Sequence, residues 1–68
     1  MYKDKQREYL TFIVAFKNNY NIDPEVSDFV KAGLGSKQSV YQMLMRLELK
    51  HLIKTIYVNE KKRGYRRV

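Results

Sequence analysis

Three α-helices followed by a short β-hairpin, in one domain over residues 1–68, is the mainly helical fold that the sequence predicts. Apolar residues recur at helical spacing over about residues 5–19 and again over 36–49, and an Asp-Pro pair and two glycines punctuate the stretch between. After residue 52 the pattern changes to an alternating β-branched run with a polar, Gly-containing segment behind it.

In the first helix, Tyr9, Leu10, Ile13, Val14 and Phe16 keep to one broad face, with Phe12 at its edge, either as part of a wide core stripe or as a partner contact. Asn18, Asn19 and Asn21 break the periodicity because their side chains compete for backbone hydrogen bonds. Asp23 before Pro24 is a helix-start signal, a carboxylate acceptor followed by a residue whose missing N–H costs nothing at the first helical position. Val26, Phe29, Val30 and Leu34 supply the buried side of the second helix. Glu25 and Asp28 lie near its positive end, and Gly33 and Gly35 terminate it. Ser36 or Ser39 then caps a third helix whose stripe of Val40, Met43, Leu44 and Leu47 faces the core. Its other side carries Gln38, Ser39, Tyr41, Gln42, Met45 and Arg46. Amides, hydroxyls and a guanidinium are the groups that read base edges in a DNA major groove, although a merely solvated face has the same periodicity. Ile53 to Val58 reads as a strand, residues 59–64 as a connection, and Tyr65 to Val68 as a returning strand. Tyr57 and Tyr65 are expected as core or cross-strand residues, the alternative being stacking on unpaired bases.

Sixty-eight residues leave little room for a substrate cavity. With no Cys and a single His51 near the end of the third helix, neither a disulfide nor a Cys- or multi-His metal site is expected, so the core must be apolar side chains, helped by six Tyr and three Phe. No nucleophile–base pair or carboxylate dyad stands at a telling spacing, so an enzyme is not expected, nor is any cofactor or small-molecule ligand. The N-terminal residues are too polar for a signal peptide, and there is no membrane-spanning apolar run; a soluble cytoplasmic protein is expected. Charge is divided unevenly. Residues 1–35 carry five basic and five acidic groups, whereas residues 36–68 carry nine Lys and Arg against Glu48 and Glu60, which places the entire net charge of +7 in the second half. A one-sided basic field of this kind attracts polyanions, nucleic acid first among them.

Three helices and a basic-tipped hairpin, with a polar outer face on the third helix, make the outline of a winged helix-turn-helix. The stretches KQREYLTFI, IDPEVSDFVKAGLG, SKQSVYQMLMRLELKHLI and KRGYRRV resemble the N-terminal DNA-binding domain of LexA-type repressors along nearly the whole chain. The resemblance implies that the opening of the third helix enters the major groove and that the hairpin lies along the phosphate backbone. Carried over, Ser36, Gln38, Ser39, Tyr41 and Gln42 face the groove. There are departures: Gly33 is an extra residue in the turn, Tyr41 and Gln42 stand where acidic residues are common, and His51 replaces a Gly, which is tolerable if another residue makes the turn. A different operator is expected. The chain stops where such a repressor continues into its self-cleaving domain, so the expectation is a stand-alone module of phages, plasmids or other mobile elements.

The expected function is therefore sequence-specific binding of double-stranded DNA by a transcriptional regulator, by family habit a repressor. Ser36, Gln38, Ser39, Tyr41, Gln42 and Arg46 would read bases, while Lys37, Lys54, Lys61, Lys62, Arg63, Arg66 and Arg67 would hold phosphates. A homodimer on a two-fold site is also expected, because one module of this size contacts limited DNA. The competing readings are a protein-interaction adaptor and a non-specific nucleic-acid binder.

Overall fold

In the computed structural model, which describes residues 2–68 except the side chains of residues 2–4 and 62–63, the elements are α1 (Tyr2–Tyr20), α2 (Val26–Lys31), α3 (Lys37–Leu49), β1 (Ile53–Val58) and β2 (Lys61–Arg67). Three helices are thus followed by a two-stranded antiparallel hairpin.

Phe29 organises the core. It is fully buried, its ring stacks on Tyr9 at 5.4 Å and 19°, and it meets Phe12 at 4.8 Å and the edge of Tyr65 at 6.4 Å. Ile13, Val26, Val40, Leu44, Leu47 and Ile53 complete the buried cluster, so every element contributes at least one side chain. Phe12 belongs to the wide core stripe of α1, whereas Val14, expected inside, is 43 % exposed. The Tyr9 hydroxyl donates to the Leu34 carbonyl at 3.2 Å, and burial, with Glu8 as a lesser cause, holds it protonated above the ordinary tyrosine range.

The expected start of the second helix is corrected. Glu25, not Asp23, is the N-cap of α2, and its N–H donates to Asp28 at 2.8 Å. Asp23 and Pro24 instead form an extended segment that receives β2: the Tyr65 N–H donates to the Pro24 carbonyl at 2.9 Å, and Arg66 reaches Asp23 with two side-chain hydrogen bonds of 3.0 and 3.1 Å. The Arg66 hydrogen bond, more than the charges of Arg66 and Lys17, holds the Asp23 carboxyl below its usual range.

Both turns that flank α3 are built the same way. At the end of α2, Gly33 at φ 81° donates to Val30 and Leu34 donates to Phe29, the two bonds of a Schellman motif. At the end of α3, His51 at φ 62° donates to Glu48 and Leu52 donates to Leu47. No other residue makes that turn in place of a glycine, as the sequence had suggested; histidine itself adopts the left-handed conformation. An L side chain there costs about 1 kcal/mol, so His51→Gly is expected to raise the urea midpoint by about that much in stability with the slope unchanged.

The hairpin connection is shorter than the sequence suggested. Only Asn59 and Glu60 turn, at φ 53° and 66°, a two-residue connection of the type that suits twisted strands, and pairing starts at Lys61. The register shifts between Ile56 and Tyr57, which face Gly64 and Lys62 respectively, so one residue of β2 is bulged. Tyr65 is in the core and Tyr57 is exposed across from Lys62.

Candidate nucleic-acid interface

Helical geometry sorts α3 cleanly. Val40, Leu44 and Leu47 are buried and Met43 packs against them, while Lys37, Gln38, Ser39, Tyr41, Gln42, Met45 and Arg46 are all exposed on the remaining arc. Gln38 and Gln42, Tyr41 and Met45, and Gln42 and Arg46 are pairs four residues apart, so their side chains stand one above the other. The face therefore presents a continuous strip of amide, phenol, thioether and guanidinium. From Ser36 to Leu47 no acidic residue interrupts it.

Ser36 is the N-cap of α3, and Ser39 is its partner. The Ser36 hydroxyl accepts from the Ser39 N–H at 3.2 Å and donates to the Ser39 hydroxyl at 3.1 Å. Both hydroxyls of the expected base-reading set are thereby engaged in starting the helix. Lys37 at the first helical position adds its charge to the positive end of the helix dipole, and no carboxylate in the first turn offsets it.

Tyr41 stands beside a cleft between α2, the start of α3 and β2, floored by Val26, Val30 and Tyr65 and rimmed by Lys31 and Lys37. Lys31 was not among the expected cations. Its place there depends on where α2 ends relative to α3, which the Schellman turn at Gly33 sets and no local pattern announces.

The expected phosphate ligands divide into two groups. Lys54 and Lys61 are exposed, as is Lys37. Arg66 is instead occupied by Asp23, whose side chain is nearly buried, and Arg67 donates to the Leu52 carbonyl at 3.0 Å, beside the backbone bond from Val68 to the same oxygen. Lys62 and Arg63 lie outside the residues whose side chains are described. The acidic residues of the second half stand away from the strip: Glu48 accepts from the Thr55 hydroxyl at 3.0 Å, and Glu60 is in the hairpin turn.

Among the described residues there is no group of three or more His, Asp or Glu side chains placed to hold a metal ion, and no helix is long and apolar enough to cross a membrane. No family model, curated protein or solved structure matches the chain. The interface is therefore read from its own chemistry.

Proposed function

We propose that this chain is a winged helix-turn-helix module that binds double-stranded DNA sequence-specifically, with α3 in the major groove and the hairpin along the phosphate backbone, and that it regulates transcription, as a repressor, in a prokaryotic or viral setting. The observation that carries the reading is the outer strip of α3. Gln38, Gln42 and Arg46 offer bidentate donor and acceptor groups from exposed positions on one rigid element, within the half of the chain that bears the whole positive excess.

In this reading Gln38 and Gln42 contact base edges, Arg46 contacts guanine or a phosphate, and Tyr41 packs on a base edge or reaches the backbone. Ser36 and Ser39 set the angle at which the helix starts. Lys37, Lys54 and Lys61, together with Lys62 and Arg63, supply phosphate contacts that add affinity without sequence information. Arg66 is a positioning residue, holding the hairpin against Asp23.

Selection from a random duplex pool, with sequencing of the retained molecules at two salt concentrations, tests the proposal. Wild type is expected to enrich a defined motif. The Gln38→Ala, Gln42→Ala double variant should lose at least about tenfold of that discrimination, since each bidentate contact is worth about 1–3 kcal/mol. Its salt-sensitive background binding should persist. No enrichment at either salt would overturn the reading, and with it the regulatory role.

A further inference from the structure

The outer side of α1 is unpartnered within the chain and carries a shape of its own. Thr11 and Ala15 follow Tyr9 and Ile13 by two positions, about 200° around the helix, so they form a crest pointing away from the core. A groove runs on each side of that crest. One is lined by Leu10 and Val14 and reaches Arg67; the other is lined by Phe12, Ala32 and Leu34. A low ridge of small residues between two apolar grooves is self-complementary, because a two-fold axis lays the ridge of one molecule in the groove of its twin.

Charge selects the same face. Residues 36–68 carry the net +7, so two copies meeting through that half would bring like fields together, whereas residues 1–35 sum to zero. The middle of the α1 face, from Leu10 to Ala15, contains no ionisable side chain except that of its neighbour Glu8 at one edge. A contact there also leaves the outer strip of α3 uncovered, since both helices turn their buried sides to one shared core.

We infer that the outer face of α1 is where two copies of this chain associate. The inference deepens the DNA-binding reading and rests on it for its purpose, which is to bring two reading helices to neighbouring half-sites. The face from Arg7 to Asn18 is about 18 Å long at 1.5 Å per residue, short of the roughly 1,200–2,000 Å² that a stable interface buries. The association is accordingly weak in solution and is strengthened when duplex holds two copies side by side.

Sedimentation equilibrium from about 10 μM to about 1 mM, a range that brackets weak association, is the test. The weight-average mass of wild type should rise from 8.2 kDa toward twice that value. Ala15→Glu and, separately, Val14→Glu place like charges across the two-fold and should weaken the association at least about tenfold, while the far-UV melting curve of each stays that of a folded protein. Met45→Glu, on α3, should leave the association as in wild type. A wild type that remains monomeric throughout, or charged α1 variants that associate as wild type does, would overturn the inference. Motif enrichment from the random pool is a separate readout. A monomer that enriches a motif sinks the dimer face alone, and a dimer that enriches nothing sinks the DNA reading alone.

Discussion

Replacement of Phe29 by alanine is expected to abolish cooperative folding. The ring is fully buried and touches aromatic side chains from α1 and β2, so no single element can close the hole left behind. Truncating a buried Phe costs about 3–5 kcal/mol, and at about 0.05–0.15 kcal/mol per residue a domain of this length has about 3–10 kcal/mol in all. The variant should show no sharp urea or thermal transition, and DNA binding should fall with it because α3 packs on the same core. A Phe29→Ala protein that melts cooperatively within about 1 kcal/mol of wild type would show that the aromatic cluster is not the keystone described above.

Gly64→Ala is expected to have the second largest effect, by a different route. A Cβ at residue 64 would lie 2.6 Å from the Pro24 carbonyl oxygen and 2.8 Å from that of Asp23, and both neighbours are backbone, which has no rotamer to give. The hairpin would have to lift from the 23–24 segment, stretching the Tyr65 to Pro24 hydrogen bond and drawing Arg66 off Asp23. Overpacking of this kind costs about 1–3 kcal/mol, and a strained or lost backbone bond adds to it. Amide chemical shifts should change around residues 22–26 and 52–67 and stay near wild type in the middle of α3. Under the proposed function, salt-sensitive affinity should drop more than motif preference, because the hairpin holds phosphates and α3 reads bases. A variant with wild-type stability and an unmoved hairpin would refute the close approach.

Periodicity made α3 legible. Four apolar positions at helical spacing placed Val40, Leu44 and Leu47 inside and left Gln38, Tyr41, Gln42 and Arg46 outside, where the structure has them. Gly33 ended α2 as a left-handed glycine should. Asp23 was misread because its local context satisfied a helix-cap rule, while its actual partner, Arg66, lies 43 positions away and leaves no trace in a local window. The hairpin turn escaped for a related reason: Asn59 and Glu60 both take positive φ without the glycine that usually advertises such a turn, so the following glycine, Gly64, drew the boundary to itself. Of the candidate interface, exposure was readable and occupancy was not. Nothing in the sequence says that Ser36 and Ser39 bond to each other or that Arg67 is tied to the Leu52 carbonyl.

The seam between β2 and the Asp23–Pro24 segment also imposes an order of events on the folding chain. Helices form from neighbours along the backbone within about a microsecond, but Arg66 and Asp23 must close a loop of more than forty residues before either gains from the other. Docking of the hairpin is thus the slow, entropy-limited step, and the helices supply the surface onto which it closes.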